Sequence, residues 1–184
     1  MIAIPSENPG PSIYRQVLKQ DFDRLAPELR TFHDARGHVQ FRGECGIEAA
    51  NGGVARILRW LLRLPGAVEN AGLDFELTAG TDREIWIRHF PGRVMRSTLQ
   101  AVDGQLVERI GPVSCWFSLE SGDGTLAMRL SRITIFGLAW PRVWTPRVWG
   151  NERGGDGRLY FDAGVRFPGV GLLAAYRGHL RVIA

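Results

Sequence analysis

Leu73-Asp74-Phe75-Glu76-Leu77-Thr78-Ala79 decides the fold. Apolar and polar residues alternate with a period of two, which no helix can use and which a half-buried strand requires. The same beat runs on both sides of it. Upstream, Val39, Phe41, Gly43, Cys45 and Ile47 alternate with His38, Gln40, Arg42, Glu44 and Glu48. Downstream, strands are expected over 84–90, 93–102, 106–110, 113–121 and 125–136, then over 158–167 and 171–182. They are separated by turn signals such as Pro91-Gly92, Asp103-Gly104 and Gly122-Asp123-Gly124. About nine strands with short turns pair antiparallel in sequence order. One flat sheet of that size would leave long open edges, so the fold class is mainly β (α+β): a curled antiparallel sheet or barrel.

Helical spacing is confined to the N-terminal third. Ser12 suits an N-cap before Ile13, Val17 and Leu18, and Pro27 suits the first turn of a second short helix ending near His33. Asn51 opens a third helix that Pro65-Gly66 stops. Arg56, Arg59 and Arg63 lie on one face of it, which fits either arginines in water or a membrane-surface helix. These two or three short helices are expected to cover one mouth or one face of the sheet.

The chain has 184 residues, 45% hydrophobic and 23% charged, which suits one globular domain over 1–184 and excludes wholesale disorder. Residues 1–11 are expected to be a flexible lead-in with no signal-peptide pattern. No run approaches the roughly 20 apolar residues of a membrane helix. The net charge is +4 and, of 23 basic residues, all but Lys19 are arginine. No basic run or stripe accompanies them, so nucleic acid is not an expected partner. Cys45 and Cys115 lack metal or redox spacing. They read as two buried thiols in a reducing cytoplasm, with a disulfide between them left open. The expected location is cytoplasmic, with peripheral attachment to a membrane as the variant that the third helix allows.

No motif for catalysis emerges. His33, His38, His89 and His179 are not spaced as metal ligands on one element, and no Gly-x-Ser-x-Gly elbow is present. Gly169-Val170-Gly171-Leu172-Leu173-Ala174 matches a dinucleotide fingerprint in letters only, because the residues that follow alternate like a strand. No catalytic residue, cofactor or metal is therefore assigned; a non-enzymatic role is the leading expectation, and an enzyme of unknown reaction, whose carboxylate and arginine sites converge only in three dimensions, is the weaker alternative.

Two places could carry a binding function. Glu84, Trp86, Arg88 and Phe90 share one face of a strand. Facing inward they would frame a polar patch around an aromatic in a ligand pocket; facing outward they would be a solvent face with cross-strand ion pairs. An inward Glu108 or Asp162 would need an arginine partner. Trp86, Arg88, Trp116, Tyr160 and Tyr176 are the candidate lining for a hydrophobic or amphipathic, lipid-like small molecule, with Arg88 placed for an anionic head group.

The other place is Ile133 to Trp149, which holds three of the six tryptophans and reads as a strand end followed by a long excursion. It could pack a barrel mouth, gate a cavity, or sit at headgroup level in a membrane interface. Trp140, Trp144 and Trp149, with Arg56, Arg59 and Arg63, are the candidate contacts for a membrane surface or a protein partner.

Several segments together resemble a known group: Leu106–Pro112, Arg142–Val148, Tyr176–Leu180, Tyr14-Arg15 with Leu25–His33, and Glu84–Phe90. From about Ser12 to Val182 the chain resembles the bacterial domain of unknown function 4166 family. Members occur alone and joined to nicotinamide-dependent reductase-like domains. The resemblance implies an accessory or substrate-handling module, with a reductase-like protein as one expected partner. It carries over no catalytic residues.

Overall fold

The computed structural model describes residues 10–61 and 64–183. Its framework is an antiparallel meander closed on itself. The strands are β1 (Gly37–Ala49), β2 (Val68–Ala79), β3 (Glu84–Phe90), β4 (Arg93–Val102), β5 (Gln105–Ile110), β6 (Val113–Gly122), β7 (Thr125–Ile135), β8 (Leu138–Ala139), β9 (Arg147–Gly155), β10 (Arg158–Phe167) and β11 (Gly171–Val182). Each long strand pairs with its neighbour in sequence, β7 pairs with both β6 and β9, and β11 returns to β1. Ten strands form the closed barrel and the two-residue β8 lies outside it on β7. Closure removes the edges that nine alternating segments would otherwise expose.

The seam between β1 and β11 shows what closure demands of the sequence. Gly43 opposes Leu180 and Cys45 opposes Gly178. A Cβ on Gly43 would run into the His179 backbone carbonyl, and one on Gly178 into that of Glu44. Only glycine lets the two backbones approach that closely.

The helices are α1 (Ile13–Leu18), a 3-10 turn over Lys19–Arg24, α2 (Pro27–His33) and α3 (Gly53–Leu61). Ser12 caps α1 by accepting a hydrogen bond from the Arg15 amide at 3.3 Å, and Pro27 opens α2. α1, the 3-10 turn and α2 close one mouth. They bury Ile13, Tyr14, Leu18, Phe22, Leu29 and Phe32 in the barrel end. They are tied to its turns by the Ala26 amide on the Gly124 carbonyl, the Ser121 hydroxyl on the Asp21 carbonyl, and the Gly157 amide on Glu28. α3 joins β1 to β2 at the opposite mouth.

Two readings change. The excursion after Ile133 is shorter than its composition suggests, because Arg147–Gly155, read as its end plus a flexible polar loop, is a barrel strand. Its glycines hide the alternation: Gly150 and Gly154 occupy inward positions, where Met128 and the Ala26–Glu28 segment already fill the space a Cβ would need. The 21–26 stretch continues the helical cap as a 3-10 turn. The fingerprint-like Gly169–Ala174 stretch is a β-turn entering β11, with no helix. Residues 1–9, most of the expected N-terminal lead-in, and Arg63 lie outside the described residues.

Candidate functional site

Glu84, Trp86, Arg88 and Phe90 point into the barrel, and all four are buried. They run from the helical cap towards the open mouth in that order, so this one strand samples the interior from end to end.

The deep half is solid. Phe32, Phe41, Phe75 and Trp86 pack with ring centroids 4.5 to 6.0 Å apart. Such edge and tilted pairs add to the burial of large apolar surfaces. Polar groups enter this half in contact with one another. The Trp86 indole donates to Glu84 at 2.9 Å, and His33 lies 2.6 Å from Glu152. The Tyr14 ring lies 3.8 Å from the His33 ring, tilted by 33° to it. Burial raises the Glu84 pKa, against the Trp86 hydrogen bond that lowers it. Burial, then Glu152 and Glu84, push the Tyr14 hydroxyl well above its usual range.

Arg88 lies one inward position above Trp86. Its guanidinium sits 4.9 Å from the Trp86 ring centre and donates to Ser97 at 3.2 Å and to Glu108 at 3.1 Å. A lone charge here would be prohibitive; the Glu108 carboxylate makes it tolerable. Glu108 is thus the inward carboxylate with an arginine partner. Asp162 is the outward one, accepting from Arg177 and from the Trp149 indole, both at 3.1 Å.

Above this pair the interior changes character. Cys115, Val148, Phe161, Ala163, Val165 and Tyr176 occupy inward register positions, yet each remains half-buried. At the neighbouring inward positions Cys45, Ile47, Leu73, Phe90 and Met95 are buried, and Cys115, Val148, Phe161 and Tyr176 pack against that core. The less tightly closed part of the open half is therefore the apolar wall of β9 and β10, with Cys115 and Tyr176 beside it and Arg88 and Glu108 below it. Tyr176 stands between Phe90 and Phe161, at ring distances of 5.7 and 5.9 Å, and burial raises its hydroxyl pKa. The two thiols are free. Burial pushes Cys45 up to about 11, and burial with the Glu108 charge pushes Cys115 up to about 12.

Of the five lining candidates, Trp86, Arg88 and Tyr176 face the lumen and two do not. Trp116 is on the outer wall beside Val107, with Arg132 3.9 Å over its ring. Tyr160 is also outside, under Arg153 at 4.1 Å and next to His179. Both stand on the polar beat of their strands: an aromatic capped by an arginine looks like an inward residue in one dimension. The missed lumen residues, Phe161, Ala163 and Val165, were legible as the apolar beat of β10. Glu152 was not, because glycines flank it at the inward positions.

The partner-contact candidates also divide. Trp149 is part of the outer barrel wall, laid over Gly164 and bonded to Asp162. Trp140 is half-buried, while Trp144 is exposed in the 3-10 turn Arg142–Trp144. Arg56 is exposed and Arg59 half-buried on α3. Two surface clefts lie outside the lumen. The first, about 410 Å³, is bounded by Thr145, Arg147, Arg166 and Phe167 near the uncapped mouth. The second is on the outer face of β1, β2 and β11. Among the described residues no helix is long and apolar enough to cross a membrane, and no cluster of metal-binding side chains is found.

Residues 25–180 match the family model described as "Domain of unknown function (DUF4166)". The chain belongs to that family. No curated protein matches it. Among solved structures, the crystal structure of Rv2717c from M. tuberculosis is similar at 13% identity and a TM-score of 0.45, covering 87% of this chain and 99% of that one. Apo lipid binding protein 8 from Caenorhabditis elegans is similar at 10% identity and a TM-score of 0.43, covering 80% of this chain and 94% of that one. These distant likenesses identify neither a ligand nor a reaction for this DUF4166 chain.

Proposed function

We propose that this DUF4166 barrel is a non-enzymatic carrier of a hydrophobic or amphipathic small molecule of lipid-like character, held in the uncapped half of the lumen. The observation that carries the reading is the contrast in burial along the inward face. In the open half the apolar side chains of β9 and β10, Val148, Phe161, Ala163 and Val165, are only half-buried, whereas Leu73, Phe90 and Met95 on β2 to β4 are closed off. A set of apolar walls with a few fixed polar groups is what small-molecule sites use. Arg88 and Tyr176 are the polar contacts, and Trp86 lies beneath them as the packing that fixes Arg88.

Glu108 refines the expectation of an anionic head group. It already neutralises Arg88, so the floor offers hydrogen bonds without net charge. A hydroxyl or carbonyl end fits it better than a carboxylate, which would have to face Glu108 as well.

Displacement of aminoanthracene fluorescence tests this. Saturable enhancement is expected, reversed by oleyl alcohol at least as well as by oleic acid. Val148→Phe and Ala163→Phe, which fill the upper lumen, should each abolish it while circular dichroism stays unchanged. No saturable enhancement, or full enhancement in whichever of these variants folds, would remove the proposal.

A further inference from the structure

The turns at the two mouths are built from different chemistry. At the capped mouth three hairpins turn on Asp103-Gly104, Asp123-Gly124 and Asp156-Gly157, all with positive φ at both residues. Asp-Gly is the ordinary solution for such a turn, since aspartate tolerates the left-handed region and stays in water. At the other mouth the β7–β8 hairpin turns on Phe136-Gly137, with φ of 51° and 80°. A phenylalanine is a poor choice for that backbone, and this one is 82% exposed. Strain and exposure together give folding no reason to keep it; such an outlier points to function.

The surroundings extend the pattern. Leu138, Val143 and Trp144 follow Phe136 and are exposed. α3 packs by Ala55 and leaves Val54, Ile57 and Trp60 outward, the reverse of an ordinary surface helix. The turns and α3 at this mouth carry charge of one sign, and the nearest carboxylates are Glu48 and Glu69 on the adjoining ends of β1 and β2. Residues 50–68, 91–94, 111–112, 136–147 and 166–170 contain no Asp or Glu. Among the described residues there, Arg56, Arg59, Arg93, Arg142, Arg147 and Arg166 enter none of the ion pairs found elsewhere in the barrel. Exposed aromatic and aliphatic side chains among unpaired arginines, with no carboxylate in the turns or in α3, match a surface that is apolar just below a layer of phosphates.

We infer that the uncapped mouth docks on an anionic lipid bilayer, with Phe136, Trp60 and Trp144 entering the headgroup boundary and the arginine ring meeting phosphate. Nucleic acid offers phosphate as well, but it would leave the Phe136 and Val54/Ile57 surfaces without an apolar partner. This docking is independent of whether the lumen holds a guest.

Co-sedimentation of the full chain with vesicles tests it, using equal parts phosphatidylglycerol and phosphatidylcholine against phosphatidylcholine alone. The protein is expected to pellet with the anionic vesicles and stay in solution with the neutral ones. Phe136→Asn supplies a residue type that tolerates the left-handed backbone of that turn. It should keep or raise the melting temperature while weakening vesicle binding about tenfold. Arg56→Glu with Arg142→Glu should weaken it at least as much, and Arg181→Glu at the capped mouth should not. No pelleting with anionic vesicles, equal pelleting with neutral ones, or a Phe136→Asn protein that binds like wild type would overturn the inference. So would self-association through this face in place of vesicle binding.

Discussion

The two ends of this barrel are made from the same ten strands and treated in opposite ways. One end is stoppered by α1, the 3-10 turn and α2, whose apolar side chains complete the core, and its hairpins turn on aspartate. The other end leaves the β9 and β10 side of its inward face half-buried, carries Phe136, Trp60 and Trp144 outward and has arginine on its turns. The difference teaches where stability and function are separated. Apolar residues at the capped end are satisfied inside the molecule, whereas those at the open end can be satisfied only by something else.

The sharpest way to break that division is truncation at each end. Phe22 is fully buried beneath the Arg15 guanidinium, which stands 4.3 Å from its ring centre. Phe22→Ala leaves a cavity at the centre of the stopper and is expected to cost about 3–5 kcal/mol in urea unfolding. Trp144→Ala removes a larger side chain, 53% exposed, and is expected to change stability by no more than about 0.5 kcal/mol. Comparable losses from both would show that the open end is structural too.

A smaller effect separates the halves by pH. Glu84 is sealed under the cap with its pKa raised by burial. The folded protein therefore holds this proton at pH values where the unfolded chain has released it. Stability falls as pH rises from the ordinary glutamate pKa through the raised one, and levels off above it. Glu84→Gln keeps an acceptor for the Trp86 indole and removes the titration. It is expected to flatten that part of the stability profile and raise the melting temperature near neutral pH by a few degrees. An unchanged slope would mean that Glu84 is not desolvated and that the cap admits water.

How much of this was readable in one dimension follows the same division. Alternation revealed the strands, because a closed barrel has one inside and one outside and each residue must choose. Ser12, Pro27 and Asp103-Gly104 marked their boundaries through local backbone chemistry. β9 was hidden because Gly150 and Gly154 supply its inward positions, where neighbouring side chains leave no room for a Cβ. Trp116 and Tyr160 were misplaced because hydrophobicity does not reveal that an arginine on the next strand covers an outer aromatic. The Glu84–Phe90 face was recognised as a unit, but its direction depended on Glu108 arriving from β5 to neutralise Arg88. That partnership across two strands is set by register alone. The composition of the Trp-rich excursion was plain, while the location of α3 at the same mouth required the meander to be counted round.

The smallest expected effect uses the two thiols as reporters of access to the interior. Cys45 faces the lumen beside Gly178 at the seam and is almost wholly buried; Cys115 faces it opposite Glu108 and is half-buried. Both stay protonated near neutral pH, with pKa values pushed up to about 11 and about 12. Since the thiolate is the reactive form, both should alkylate slowly in the folded protein. Access then decides the order. N-ethylmaleimide is expected to modify Cys115 first, with Cys45 reacting only on global unfolding, as read by intact mass with time. A guest in the upper lumen would cover Cys115, whereas Cys45, in register with Phe161 across Gly178, is already sealed by packing. Oleyl alcohol should therefore slow the first modification severalfold without changing the second. Equal slowing of both would indicate that the guest stabilises the whole barrel rather than filling its open half, and modification of Cys45 first would show that access opens at the β1–β11 seam and not beside Cys115.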